Sequence, residues 1–513
     1  MKRSIPQRLA RRKQKIKRRL ARLRKRNAKK TGFGRPVMNT GGLKYDLSDR
    51  DRGCVFGGVP LIVKIAQRVC LVDAIDRHVQ LLKIHLPYHE SDHVLNFAIN
   101  ALCEGTCIED IELRRNDEAF LDALGAETIP DPTTAGDFCR RFRTDAHVRS
   151  LLDAIDEARL NVWKEQPSSF FDRAVIDMDG VFAITLGECK QGMDISYKND
   201  WGYHPLIVSL ANTKEVLSLV NRSGNRPSHE GAAAEADRAA ALCRRAGFRK
   251  IVFRGDTDFS QTAHLDRWNA DGITFYFGYD RTPNLCAIAN DLPESRWKPL
   301  VRPPKYEAVG PPREKPSNVK RQVIRRRKFL HLELESEEVA VFKYRPVACK
   351  QTYRMIVVRK NISREKGELR LLDEIRYHFY ITNDRQAKPA EVVFECNDRC
   401  DQENLIAQLA GGVKAIAAPV DNLYSNWAYM VMTSLAWTLK SWTALLVPVH
   451  PRWKERHETE RRTLLTMEFK TFVNVVVKLP CQIVTKARQT VVRLLSWTPW
   501  LPVFFRLCDE LRC

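Results

Sequence analysis

Acidic residues at three separate places in the chain have the types and positions needed to bind divalent metal ions. Asp179 lies in a predicted strand, Asp256 directly follows another, and Glu403 lies in a predicted helix. An acid in an otherwise apolar strand is costly to bury unless it is paired or bound to metal. Cutting or joining a phosphodiester at neutral pH requires a hard cation held by carboxylates. The three acids therefore predict a Mg²⁺ site, in which Mn²⁺ could replace Mg²⁺.

Neighbouring acids leave alternatives open at two of these positions. Asp177 shares a strand face with Asp179, so either could be the first metal ligand. Asp177 could instead form a salt bridge with Arg254. Asp258, two residues after Asp256, could cap the following helix.

The elements around the acids predict an α/β fold with a ribonuclease-H-like mixed sheet. Apolar residues change from a helical period of about 3.6 to a strand period of about 2 near Arg173. A meander of three strands, followed by helix, strand, helix and strand, would place the first and fourth strands side by side. The predicted strands are residues 174–186, 203–212, 215–222, 250–254 and 273–279, and the predicted helices are residues 229–246 and 262–269. This order would bring Asp179 and Asp256 together.

Composition divides the chain into six predicted segments. A β-rich insertion interrupts the catalytic core, and helical regions flank it. The segments are a basic arm and linker (1–58), a helical DNA-binding domain (59–165), the first part of the core (170–280), the insertion (281–375), the second part of the core with the catalytic helix (376–415) and a C-terminal helical region (416–513). The alternative for residues 59–165 is a purely structural helical bundle.

The charge of the chain predicts a polyanionic partner. It has 85 Lys and Arg against 62 Asp and Glu, a net charge of +23, and residues 1–30 hold 16 of the basic residues and no acid. Nucleic acid is the partner that we expect, because each neutralised phosphate releases a counterion. The alternative is a solvated tail that serves only solubility.

The remaining composition predicts a cytoplasmic, nucleoid-associated protein. The chain has 14 cysteines but no CxxC pair, which disfavours a zinc-finger-type site and favours free thiols in a reducing compartment. The start of the chain is basic with no apolar core after it, unlike a signal peptide. Residues 427–449 are apolar, but Lys440 near their middle favours a buried helix over a membrane span.

The acids lie in a succession of five short motifs. These are Asp177-Met-Asp179-Gly, Gly202-Tyr-His-Pro-Leu206, Arg222-Ser-Gly-Asn225, Arg254-Gly-Asp256-Thr-Asp-Phe259 and Arg399-Cys-Asp-Gln-Glu403-Asn404. In content and order they resemble the motifs of DDE transposases from bacterial insertion sequences, in particular the group with a β-strand insertion before the catalytic Glu. The resemblance covers about residues 174–413.

The resemblance implies cut-and-paste DNA transposition by a Mg²⁺-dependent endonuclease and strand transferase. It implies Asp179, Asp256 and Glu403 as the catalytic triad, and favours Asp179 over Asp177 because the family's first Asp precedes a small residue. The third acid of the family belongs to a Tyr-x2-Arg-x3-Glu-x6-Lys pattern. Arg399 and Glu403 keep this spacing, whereas Cys396 and Ala410 replace the Tyr and the Lys. The resemblance also implies double-stranded DNA as the partner, namely the terminal inverted repeats of the element and the target DNA. Synapsis of two ends implies at least a dimer on DNA.

Further residues are predicted to contact DNA. Arg399, Arg222, Arg254 and Arg326 are the predicted basic contacts; the alternatives are pairing of Arg399 with Asp398 or Glu395, and a solvated turn around Arg326. Relatives imply a tryptophan that holds an unstacked base, for which Trp297 is the first candidate and Trp268 or Trp201 the others. The alternative functions are a transposase-derived DNA-binding protein without catalysis and another ribonuclease-H-like nuclease.

Overall fold

The computed structural model describes residues 5–28, 52–302, 316–367, 369–486 and 489–512. The helices are α1 (Ile5–Ala28), α2 (Val59–Arg68), α3 (Leu71–His78), α4 (Glu90–Leu102), α5 (Ile111–Arg115), α6 (Glu118–Leu124), α7 (Pro132–Arg141), α8 (Asp145–Lys164), α9 (Ala232–Ala246), α10 (Thr262–Ala270), α11 (Pro283–Asn290), α12 (Val319–Arg326), α13 (Pro389–Asn397), α14 (Cys400–Ala407), α15 (Leu423–Leu445), α16 (Lys454–Thr466), α17 (Phe469–Phe472) and α18 (Leu501–Glu510). The strands are β1 (Arg52–Cys54), β2 (Ala174–Gly180), β3 (Ala183–Ile184), β4 (Asp194–Ile195), β5 (Trp201–Tyr203), β6 (Leu206–Leu210), β7 (Glu215–Val220), β8 (Ile251–Gly255), β9 (Thr274–Tyr279), β10 (Lys298–Pro299), β11 (Leu330–Tyr344), β12 (Tyr353–Lys366), β13 (Leu369–Thr382), β14 (Cys481–Lys486) and β15 (Gln489–Leu494).

A nine-stranded mixed sheet forms the centre of the protein. Its order is β10-β11-β12-β13-β9-β8-β2-β6-β7. The first core strand, β2, pairs antiparallel with β6 and parallel with β8, and β8 pairs parallel with β9. The predicted fold class is therefore confirmed, with the first and fourth core strands side by side and helices on both flanks. Strands such as β6 and β8 are largely apolar runs because both faces of the sheet are buried there.

The inserted strands extend this same sheet. β11, β12 and β13 contain 15, 14 and 14 residues and pair antiparallel, and β13 joins the core strand β9. The sequence alternates in two separate runs at residues 329–334 and 339–344. A single strand with a bulge between Leu334 and Ser336 runs through both. The acidic residues between the runs are paired across strands, since Glu338 accepts hydrogen bonds from Arg359.

Two predicted strands of the core are shorter than the sequence suggests. The first ends at Gly180 rather than at residue 186, and the second is divided into β5 and β6. Pro205 separates β5 from β6 because it has no N–H to donate to the ladder. Residues between the end of β2 and Pro205 form a small separate sheet of order β3-β5-β4.

The N-terminal helices and the sheet share one hydrophobic core around α15. This helix contacts α4, α8 and β7, and every side chain from Ser425 to Leu445 is buried, as predicted for a buried helix. Among the described residues, no helix is both long and apolar enough to cross a membrane.

A buried carboxylate ties the helices to the sheet. Glu215 of β7 accepts hydrogen bonds from Arg159 Nε at 3.1 Å, Trp163 Nε1 at 2.9 Å and Trp442 Nε1 at 2.7 Å. These donors come from α8 and α15, so one side chain joins three elements. A buried carboxylate is tolerated there because its oxygens are hydrogen-bonded and paired with a cation.

The C-terminal region contains a hairpin as well as helices. The sequence predicts mainly helices after residue 420, but β14 and β15 pair antiparallel, and β1 adds to β14. The basic arm forms α1, which contacts α18; Arg12 donates a hydrogen bond to the carbonyl of Leu494 at 2.7 Å.

Lys440 predicts a measurable pH dependence of stability. Its ammonium group is buried in α15 and donates to the Leu465 carbonyl at 2.8 Å. Burial, assisted by the charge of Lys214, lowers the pKa of Lys440 to about 7, against about 10.4 in an unfolded chain. Between these values the unfolded chain binds more protons, so the contribution of Lys440 to the free energy of unfolding rises with pH.

We expect the free energy of unfolding of the wild type, relative to Lys440→Met, to rise by about 2 kcal/mol from about pH 7 to about pH 9. Urea unfolding at a series of pH values measures this difference. Lys454→Met is the matched control, because that side chain is 70% exposed and should give a flat difference. A flat difference for Lys440→Met as well would contradict the buried titration.

Candidate catalytic site

The sheet brings two predicted acids to one edge. Asp179 lies near the carboxyl end of β2, and Asp256 directly follows β8. Because β2 and β8 are parallel neighbours, in register from Ala174 with Ile251 onwards, their carboxyl ends meet. Helix α14 contacts β2 and carries Glu403 to the same edge.

Arg399 lies between the acids. Its Nη1 donates to Asp179 Oδ2 at 3.0 Å, and its Nη2 lies 3.5 Å from Glu403 Oε1, one helical turn away. The arginine thus pairs with neither Asp398 nor Glu395, the partners considered from the sequence. One guanidinium group bridges two of the three predicted acids.

The acids influence one another electrostatically. Burial raises the pKa of Asp179 to about 6; the positive charge of Arg399 opposes this rise, and the negative charges of Asp256 and Glu403 add to it. Burial also raises the pKa of Asp256, again opposed by Arg399 and assisted by the charge of Asp280. Convergent carboxylates that repel one another in this way favour binding of an added cation.

The donor set suits a hard divalent cation. Asp179, Asp256 and Glu403 offer only carboxylate oxygens, the ligands that Mg²⁺ prefers. One arginine leaves the three formal negative charges partly uncompensated. The ligands of a single ion would have their ligand atoms within 4.8 Å of one another. Among the described residues, the carboxylate oxygens of these three acids do not all lie that close together. The guanidinium group of Arg399 fills the space between Asp179 and Glu403 and accounts for their separation.

A small cleft opens beside Asp256. It has a volume of about 250 Å³ and is lined by residues of β8, β9, β13 and the turn before α14, including Asp256, Arg399 and Tyr279. Asp256 and Arg399, both predicted site residues, therefore face solvent-accessible space.

Comparison with known proteins decides the family. The family described as Transposase DDE domain group 1 matches residues 55–513, nearly the whole chain. The chain belongs to this DDE transposase family. Among solved structures, the cryo-EM structure of the piggyBac transposase synaptic complex with hairpin DNA is similar with a TM-score of 0.34 and 10% identity, over 82% of each chain. No curated protein sequence matches the chain.

Asp177 of this DDE transposase lies on the same strand as Asp179 but is buried in a salt bridge. Its carboxylate is fully buried and accepts hydrogen bonds from Arg254 Nε at 2.6 Å and Nη2 at 2.8 Å. Arg254 also donates to the carbonyl of Glu395 at 3.3 Å. The pair thus takes the salt-bridge arrangement considered from the sequence. This placement favours a structural role for Asp177 and Arg254 over metal or DNA binding.

Arg222 is also buried rather than directed at solvent. Its Nε donates to the His204 carbonyl at 2.8 Å, and its Nη1 lies within hydrogen-bonding distance of three carbonyls between residues 227 and 230. Burial lowers the pKa of Arg222 to about 10. The side chain fixes the loop before α9, which leaves little of it for a phosphate. Arg326, by contrast, is exposed on α12.

The three tryptophans considered for base stacking differ in exposure. Trp297 is 7% exposed and lies between Arg359, at 4.3 Å from its ring centroid, and Tyr377. Trp268 is 1% exposed, whereas Trp201 is 51% exposed on the small sheet beside the end of β2. A base could reach Trp201 directly, but could reach Trp297 only after Arg359 moves.

Two residues at the site are missing from the sequence prediction. Gln402 is buried and donates to the carbonyl of Ile207 at 3.2 Å, which fixes α14 on β6 so that Glu403 faces outward. Asp280 follows β9 and lies close enough to raise the pKa of Asp256. An acid directly after a strand is a signal that could have identified Asp280 beside Asp256.

Proposed function

We propose that this DNA transposase belongs to a bacterial insertion sequence, cuts DNA at the ends of its element and joins them to target DNA, with Mg²⁺ bound by Asp179, Asp256 and Glu403. The observation that carries the proposal is the meeting of these acids around Arg399 at one sheet edge. When bound, the metal activates the attacking oxygen and stabilises the leaving one.

The protein's own residues supply the rest of the site. Gln402 holds α14 against β6, so the position of Glu403 depends on the sheet. Arg399 pairs with Asp179 in this structure, and it would be free to contact a DNA phosphate if Asp179 held a cation. No covalent protein intermediate is required, because the freed 3′-hydroxyl of the DNA can itself attack the target.

Other segments supply DNA binding in this proposal. The basic side chains of α1 and the exposed Arg326 contact phosphates, and the helical region of residues 59–165 binds the terminal inverted repeats. Synapsis of two ends requires at least a dimer on DNA, and the protein acts at the bacterial nucleoid.

The decisive experiment uses the full chain and the DNA that borders its coding region. We expect cleavage at the boundary of the element and joining of its 3′ ends to a second duplex in Mg²⁺ or Mn²⁺, with neither product in EDTA. Specific binding of the ends without cleavage in either metal would contradict the proposal and support a DNA-binding protein without catalysis.

Trp201→Ala is expected to weaken binding of DNA ends that carry an unpaired base. Trp201 lies on β5, four residues before Pro205 and next to the end of β2, and half of its surface is exposed. Loss of one stacked base costs about 1–3 kcal/mol, or roughly five- to 150-fold in affinity. Fluorescence anisotropy with paired and unpaired ends measures the effect.

Trp453→Ala is the matched control, because Trp453 is 52% exposed but lies in the C-terminal helices, far along the chain from the small sheet. Equal losses for the two variants, or no preference of the wild type for the unpaired end, would contradict a stacking role for Trp201.

A further inference from the structure

A second group of metal-binding side chains lies in the inserted strands. His331 and Glu333 are two residues apart on β11, and Glu365 lies directly opposite His331 on β12. Alternate residues of a strand share a face, and opposite residues are neighbours, so the three side chains project from one face. β12, β13 and β9 separate β11 from the catalytic strand β8 in the sheet.

The geometry of this group suits one ion. One ligand atom from each residue lies within 4.8 Å of the other two. His331 Nε2 is 3.4 Å from Glu365 Oε2 and 3.8 Å from Glu333 Oε2. The side chains of His331 and Glu365 are each only 17% exposed.

The group also contains polar atoms without partners. Within the part of the chain that the structure describes, Glu365 Oε2 and His331 Nδ1 are buried and have no hydrogen-bond partner. A buried carboxylate oxygen without a hydrogen-bond donor is costly. A bound cation would satisfy this oxygen of Glu365.

We propose that His331, Glu333 and Glu365 bind a divalent transition-metal ion such as Zn²⁺, with water in the remaining position. Imidazole nitrogen and carboxylate oxygen are both ligand types that zinc binds, whereas Mg²⁺ prefers oxygen ligands alone. The ion would join the start of β11 to the end of β12, at a site separate from the catalytic acids.

Arg321 competes with the ion for one ligand. Its Nη2 lies 2.5 Å and 2.7 Å from the two carboxylate oxygens of Glu333, and it extends from α12. Metal binding must therefore displace this guanidinium group or share Glu333 with it. Removal of Arg321 should strengthen metal binding, an effect that general destabilisation of the hairpin would not produce.

The test uses the full chain with Zn²⁺ and, as a spectroscopic probe, Co²⁺. We expect the wild type to retain one more equivalent of zinc after equilibrium dialysis than His331→Ala or Glu365→Gln, with affinity at least about tenfold weaker in each variant. Because the chain has 14 cysteines, Co²⁺ absorption separates this site from thiolate sites. His331→Ala should lose Co²⁺ d–d absorption without losing any thiolate charge-transfer absorption.

Matched variants make the result decisive. Arg321→Ala should bind zinc several-fold more tightly, while Lys320→Ala on the same helix should not change the affinity. Asp179→Asn, which alters the catalytic site, should leave this zinc bound. Equal zinc content in the wild type and both ligand variants would overturn the proposal, as would equal or weaker binding by Arg321→Ala.

Discussion

Asp256→Asn is expected to abolish metal-dependent DNA cleavage while leaving DNA binding and folding intact. Asp256 follows β8 at the acid edge, and its pKa is raised by burial and by nearby acids. Replacement of the carboxylate by an amide removes the negative charge that a Mg²⁺ ion requires. Metal ions supply several kcal/mol of transition-state stabilisation, so the cleavage rate should fall by about a thousandfold or more.

Asp258→Asn is the matched control for this variant. Asp258 is exposed, two residues away, and its backbone N–H donates to Asp256 Oδ1 at 3.0 Å. The amide introduced by Asp256→Asn keeps an oxygen that can accept this bond, so the turn should survive in both variants. Single-turnover cleavage of DNA ends measures the rates. Full cleavage by Asp256→Asn in Mg²⁺, or an equal loss in Asp258→Asn, would contradict the assignment.

The sequence was sufficient to predict the core of the fold and the location of two acids. Strands β2, β6 and β8 are short, largely apolar runs bounded by turns, and such runs are a local signal. Once their order along the chain is known, the rules of strand connection bring Asp179 and Asp256 together. The burial and proximity of these two residues follow from pattern alone.

Contacts between distant residues could not be predicted in this way. The sequence does not reveal that Arg399 pairs with Asp179, because 220 positions separate them and the pairing depends on how α14 packs against β2. The continuity of β11 between its two alternating runs is likewise a long-range effect. Basic residues on β12 stabilise the acidic residues between the runs within a single strand.

The C-terminal hairpin was missed for a similar reason. β14 and β15 contain few residues, and β14 is completed by β1, which lies more than 400 residues earlier in the chain. Apolar residues in so short a run do not distinguish a strand from a helix. Only the pairing partner decides between them.

Asp177→Asn and Asp179→Asn are expected to have opposite effects on stability and activity. Asp177 is buried and bound by two nitrogens of Arg254, so its replacement leaves the buried guanidinium group with only the more distant carboxylate of Glu395, at 3.6 Å, as a counterion. Breaking such a pair costs about 3–5 kcal/mol. Asp179 is paired with Arg399 at the partly exposed site edge, and burial and neighbouring acids disfavour its charge. Its replacement should therefore leave stability nearly unchanged but abolish cleavage.

The pair of variants tests which of the two acids is structural and which is catalytic, although both lie on the same strand. Urea unfolding gives the free energy for each variant, and cleavage is measured below the temperature at which Asp177→Asn begins to unfold. The folded fraction of Asp177→Asn should cleave DNA at a rate close to that of the wild type, because its substitution removes no ligand. A stable, inactive Asp177→Asn together with an active Asp179→Asn would reverse the assignment and make Asp177 the first metal ligand. That result would also require Arg254 to leave the buried pair, since a carboxylate held by two guanidinium nitrogens cannot bind a metal ion in the arrangement seen here.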